Sequence, residues 1–94
     1  LYAAVTRQST AGEPAGGWWP QERLSIEDAI RCYTAEAAYA SFEEKEKGQI
    51  VGGMLADISV HSRNLLEIPA AEILQTETVM TILGGKVVYE RPPR

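Results

Sequence analysis

The sequence predicts an α+β chain with a helical first half and a small sheet in the second half. Three observations predict it. From Ser25 the apolar residues recur at helical spacing over about 26–41. After Gly48 the spacing changes to alternation. Two apolar, β-branched runs then flank Gly84-Gly85, the strongest hairpin signal in the chain.

Taken in order, Leu1, Ala4 and Val5 fall on one short helical face within Leu1 to Gln8. Residues 9–17 are turn formers without period and read as a loop, which continues through Trp18-Trp19-Pro20 to Arg23. Ser25-Ile26-Glu27-Asp28 resembles a capping box: the Ser hydroxyl can accept from the Asp28 N–H, and the Asp carboxylate can reach back. Leu24 can staple onto Ala29, and Glu27 and Asp28 sit at the positive end of the helix dipole. Ile26, Ala29, Ile30, Tyr33, Ala37 and Ala40 supply the buried stripe of the main helix, about 26–41. It should stop near Ser41–Phe42, before the charge run 43–47.

Gly52-Gly53 is a turn. Ala56, Ile58 and Val60 alternate with polar residues and mark a strand at about 56–61. Pro69 to Leu74 suits a short helical turn with Pro at its start. Residues 76–83 and 86–90 form the two arms of the hairpin, and Arg91-Pro92-Pro93 ends the ladder.

The composition narrows the function classes. With 45% apolar residues before glycine is counted, 94 residues can fold as one domain with a modest core. Nine basic residues against thirteen acidic ones give a net charge of −4, so no nucleic-acid partner is expected. No run approaches the roughly 20 apolar residues of a membrane span, so no membrane partner is expected either. The single cysteine is compatible with a reducing compartment, and the cytoplasm is the expected location.

Few residues invite chemistry. His61 is the only histidine, and its plain reading is a polar residue on the outer face of a strand beside Asp57, Ser59 and Arg63. Cys32 is mid-helix, away from any helix N-terminus, and reads as a packed, inert thiol. One His and one Cys, 29 positions apart, do not match zinc-ligand spacing. Neither Gly48-to-Gly53 nor Gly84-Gly85-Lys86 is followed by the helix an anion loop needs. The run 43–47 reads as a solvated helix end rather than a docking patch. Trp18-Trp19 is different. Two tryptophans in a Gly/Pro loop either cap the core, line a ligand pocket or bury in a partner surface.

The span Gly48-Gln49-Ile50-Val51-Gly52-Gly53-Met54-Leu55-Ala56-Asp57-Ile58-Ser59-Val60 resembles a signature of the metal-dependent amidohydrolase superfamily. Val79 to Tyr89, a strand, a Gly-Gly turn and Lys-Val-Val-Tyr, is similar to that family's C-terminal end. Ala3-Ala4-Val5-Thr6-Arg7, the Gly-rich loop, Glu22 to Ile30, Tyr33-Thr34 and Ala37-Ala38-Tyr39-Ala40 resemble the branch containing N-substituted formamide deformylases. Gly53-Met54 departs from the Gly-Lys common in the family.

The resemblance implies a C-terminal segment of a metal-dependent hydrolase acting on amide-type, non-peptide C–N bonds. Residues 1–47 would close a (β/α)8 barrel, too large for this chain at roughly 250 residues. Residues 48–94 would form part of a small β-sandwich. The family's ligands, a His-x-His pair, a bridging carboxylated Lys or equivalent acid, further His and an Asp, would lie upstream of Leu1. The missing initiator Met fits that expectation. The chain itself would then carry no catalytic, cofactor or metal residue; the parent's divalent metal is expected to be zinc. Arg7, Trp18 and Trp19 would lie near the substrate entrance or an interface. The expected partners are the rest of the parent enzyme and, for the chain alone, a second copy in a symmetric dimer covering sheet edges and an apolar face. The alternative is a stand-alone α+β interaction module that binds a protein by strand addition.

Overall fold

The computed structural model describes residues 1–93. The helical half comes first, as α1 (Tyr2–Thr6), α2 (Ile26–Tyr33) and α3 (Ala35–Ala40). The sheet half follows, as β1 (Ile58–His61), β2 (Thr78–Leu83) and β3 (Lys86–Glu90). Two 3-10 turns, Pro20–Glu22 and Ala70–Gln75, sit in the connections. The second is the helical turn expected after Pro69; the first has no periodic signal in the sequence.

The capping chemistry at Ser25 holds in part. Ser25 Oγ accepts from the Asp28 N–H at 3.1 Å. The Asp28 carboxylate does not complete the box; its Oδ1 accepts from Arg31 Nη1 at 3.2 Å, one turn along the helix. The helix expected over 26–41 is broken once, at Thr34 (φ −122°, ψ −91°). Two local causes act there. Thr34 Oγ1 donates to the Ile30 carbonyl at 2.7 Å, a back-bond that bends helices. Gly48 packs against the break: a Cβ on it would lie 2.9 Å from Ala38 Cβ and 3.1 Å from the Thr34 carbonyl oxygen. The kink and this glycine fit one another, and a side chain at 48, where φ is +105°, would have to push the two helices aside.

α3 ends where expected. The Glu43 N–H reaches the Ala38 carbonyl and the Phe42 N–H reaches the Tyr39 carbonyl, the hydrogen bonding of a Schellman motif. Phe42 holds the left-handed position (φ 63°) that glycine usually fills.

The sheet is antiparallel in the order β1-β2-β3, with Ser59 opposite Thr81 and Thr81 opposite Tyr89. Its first strand starts at Ile58, not 56, and its second at Thr78, not 76. Ala56 and Asp57 serve the hairpin instead. The Gly84 N–H donates to Asp57 Oδ1 at 2.8 Å and the Gly85 N–H to the Ala56 carbonyl at 3.0 Å. Gly84 (φ 58°) and Gly85 (φ 80°) both have the positive φ of a type I′ turn, which matches the strand twist. Irregularities at Val60/His61 and Thr81/Ile82 shift both ladders by one residue.

Little is buried. Ala29, Ala38 and Leu65 form the core of the described chain, and no large side chain is fully enclosed. Phe42 is 91% exposed and Ile50 83%. The body measures 43 × 38 × 19 Å, a slab rather than a sphere.

Candidate functional site

Two features of this slab have the shape of a site. The first is a corner built by α1 and the loop behind it. Arg7 ends α1 in the left-handed region (φ 59°), with its N–H bonded to the Ala3 carbonyl. Its own carbonyl accepts from the Trp18 N–H at 2.9 Å, and its Nε donates to the Trp18 carbonyl at 3.0 Å. Gln8 Nε2 donates to the Pro14 carbonyl at 3.1 Å, tying the loop from the other side. Gly17 lies so close to α1 that a Cβ there would collide with the Thr6 carbonyl oxygen.

The result is a fixed display. The Arg7 guanidinium lies over the Trp18 ring, 5.0 Å from its centroid, within cation–π range. Trp19 stands edge-on to Trp18, with ring centroids 6.3 Å apart. Trp18 is 60% exposed and Trp19 57%. Of the three roles open to this pair, capping the core is not the one observed. The three residues singled out in the sequence thus come together. The sequence did not show the ladder of backbone hydrogen bonds between residues 7 and 18, because a loop without period gives no contact information.

The second feature is a trough of about 1000 Å³ between α2–α3 and β1. Ile30, Tyr33, Ala37, Ile50, Ile58 and Leu65 line it, with Glu43, Lys47, Asp57 and His61 among its polar groups. A smaller hollow of about 280 Å³ shares Gln49, Ile50 and Ile58 with it. Lys47 Nζ and Glu43 Oε2 pair at 2.8 Å. Hydrogen bonds from Lys47 and then Ser41 hold the Glu43 carboxyl below the usual range, and Glu43 holds the Lys47 ammonium pKa up. Both groups are solvated, so the pair adds little to stability. It acts as the mixed-charge helix end expected of residues 43–47.

His61 ends β1 opposite Thr78, on the trough. Cys32 corrects an expectation: it is exposed rather than packed. Its Sγ donates to Glu36 Oε2 at 3.2 Å. That hydrogen bond, with the Glu36 and Asp28 charges, pushes the thiol pKa up, which disfavours the thiolate form. Among the described residues no three of His, Cys, Asp and Glu come together to hold a metal ion. The donor set therefore does not fit the metal the amidohydrolase resemblance implies. No helix among the described residues is long and apolar enough to cross a membrane.

Comparison with known proteins places these features in a larger frame. The N-substituted formamide deformylase of Arthrobacter pascens is 31% identical over 91 residues, which cover 97% of this chain and 16% of that protein. The amidohydrolase YtcJ of Bacillus subtilis is also 31% identical over 91 residues, covering 97% of this chain and 17% of that protein. The chain therefore spans about a sixth of the length of these relatives. The crystal structure of an amidohydrolase from Thermotoga maritima shares the fold over 77% of this chain and 17% of that one, with a TM-score of 0.63 at 21% identity. The signature at Gly48–Val60 and the strand–Gly-Gly–strand end both fall inside residues 1–89, the span matched by the family model, and so this α+β slab belongs to the amidohydrolase family.

Proposed function

We propose that the chain is the C-terminal segment of a longer, metal-dependent hydrolase of amide-type, non-peptide C–N bonds, and that its own part is structural. One observation carries this. The relatives align along nearly all of this chain yet are about six times its length, while no metal-ligand group assembles among the described residues. The divalent metal, with zinc as the expected ion, is then held by residues outside this chain. No chemical step is assigned to the residues within it.

On this reading residues 1–47 end the helical layer of a (β/α)8 barrel and residues 48–94 supply strands to a β-sandwich. The division of the slab into a helical half and a sheet half supports it. Arg7, Trp18 and Trp19 then stand at the substrate entrance or an interface, and the cytoplasm is the compartment that suits the unpaired Cys32. The second reading, a stand-alone module binding proteins by strand addition, is favoured by one observation: β1 and β3 each have an unpaired edge within this sheet.

Two measurements test the first reading. The 94-residue protein with Zn²⁺ should hydrolyse N-formyl amines no faster than Zn²⁺ alone; enzyme-like turnover would overturn the structural role. The genomic sequence upstream of Leu1 should continue in frame for several hundred residues with a His-x-His pair near its start. An in-frame stop directly upstream would remove this reading and leave the module.

A further inference from the structure

We propose that Arg7, Trp18 and Trp19 form a recognition subsite of the parent hydrolase, selecting amides that carry a carboxylate beside a flat aromatic group. The subsite rests on the reading of the chain as a segment of such a hydrolase. It deepens that reading, which leaves the corner at either a substrate entrance or an interface.

What marks the corner is how it is held. The loop is tied to α1 at both ends: the Trp18 N–H donates to the Arg7 carbonyl and the Leu24 N–H to the Ala4 carbonyl, each at 2.9 Å. Between these ties Trp19 takes φ 49°, and Arg7 itself takes φ 59°. Left-handed backbone is strained for a residue with a Cβ, and for one as bulky as Trp it is an outlier. Glycine would make either turn without that strain. The same loop does use glycine at Gly12, Gly16 and Gly17, all at positive φ. The backbone alone therefore does not call for Arg at 7 or Trp at 19. Strain of this kind persists where the side chain is needed, and it clusters at ligand-binding sites.

The side chains define the ligand. Arg7 Nε donates to the Trp18 carbonyl at 3.0 Å, which leaves the fork of Nη1 and Nη2 to other acceptors. Among the described residues Arg31, Lys47, Arg63 and Arg91 have carboxylate partners, and Arg7 has none. A guanidinium stays charged at every working pH, and its planar fork matches a carboxylate through two parallel hydrogen bonds. The Trp18 ring covers one guanidinium face, 5.0 Å from ring centroid to Cζ, so the anion meets the edge of the fork. Trp19 stands edge-on to Trp18, with centroids 6.3 Å apart, and offers a flat apolar surface on which an aromatic group can stack. A carboxylate joined to a ring by a short linker satisfies both. Arg7 is then a specificity-determining residue and takes no part in the hydrolysis itself.

The test uses the full-length parent enzyme with its divalent metal and two substrates, N-formylphenylalanine and N-formylphenethylamine, which differ only in the carboxylate. Wild type should prefer the first by at least about tenfold in kcat/KM, the effect of one good charge-assisted contact. Arg7→Gln should erase the preference through KM rather than kcat. Arg7→Lys keeps the charge without the fork and should restore part of it. Calorimetry with hydrocinnamate, the same carboxylate and ring without the amide, reads the subsite without turnover. Its binding should weaken about tenfold in Arg7→Gln and in Trp19→Gly. Trp19→Gly also separates a subsite from an interface. It relieves the backbone strain, so the enzyme should melt no lower than wild type, whereas an indole packed against the rest of the parent would be missed. Equal turnover of the two substrates, a preference that survives Arg7→Gln, or a destabilised Trp19→Gly enzyme would each overturn the subsite and leave the hydrolase reading standing. Turnover of neither substrate, with hydrocinnamate binding that depends on Arg7, would keep the subsite and count against the hydrolase reading. Neither turnover nor Arg7-dependent binding would overturn both.

Discussion

The Cys32 thiol donates to the Glu36 carboxylate one turn on. Its mid-helix position alone predicts a packed thiol. The helix turns Ala29 inward and leaves Cys32 in solvent, where Glu36 can accept its hydrogen bond. A thiol that donates to a carboxylate loses that bond on ionising and gains a repulsion, so its pKa rises. The sign follows. The folded state favours the protonated form, so alkylation by iodoacetamide should begin at higher pH in the folded chain than in the urea-unfolded one. Glu36→Ala should bring the folded profile down and speed alkylation severalfold at pH 8, because the thiolate is the reacting form. An unchanged profile in Glu36→Ala would show that Glu36 does not set this thiol. Other residue-scale signals were legible because they are local. The Ser25 hydroxyl needs only its own helix to cap, and it does so. The side chain of Asp28 had two local partners to choose from, and sequence could not say that Arg31 would win.

At the scale of elements, legibility tracked how local the determining contacts are. The Gly84-Gly85 hairpin depends on backbone freedom at two adjacent residues, and β3 falls on residues 86–90 as read. The break at Thr34 depends on Gly48 arriving beside it, a contact no periodicity encodes. The shortened β1 has a similar origin. The alternation places Asp57 on a strand's polar face, but its carboxylate accepts from the Gly84 N–H, 27 residues away in sequence. This makes Asp57 a clamp between the start of β1 and the tip of the hairpin. Asp57→Ala should destabilise the chain by about 1 kcal/mol, the usual net worth of one hydrogen bond. Asp57→Asn keeps a carbonyl acceptor and should cost less. The checking measurement is urea unfolding at fixed protein concentration, with amide exchange at Gly84 as the local readout. Exchange at Gly84 should accelerate in Asp57→Ala more than exchange at Met80 on the same strand. Equal acceleration at both would mean that the aspartate stabilises the sheet in some other way.

The whole molecule carries the consequence of a core made of Ala29, Ala38 and Leu65. Neither periodicity nor motif could announce it, because burial depends on what a face packs against, and a sequence specifies only that the face is apolar. An unfolded chain of 10.3 kDa exposes about 14,900 Å². Folding to 6936 Å² therefore buries about 54% of it, where the same scaling gives about 64% for a globular chain of this mass. About 1,600 Å² more stays exposed than that scaling gives; if a bit over half of it is apolar, as in ordinary interfaces, the forgone burial is worth on the order of 20 kcal/mol as an upper bound. That exceeds the roughly 5–15 kcal/mol by which domains are usually stable. The slab should therefore be marginal alone and firm only when its faces are covered. A chain with so small a core should have a low melting midpoint when it is produced alone. At about 1 µM the far-UV signal should melt below the 45–65 °C range common for mesophilic domains. A sharp midpoint inside the common range would mean the slab is self-sufficient, and that its exposed Phe42, Ile50 and paired tryptophans cost it nothing.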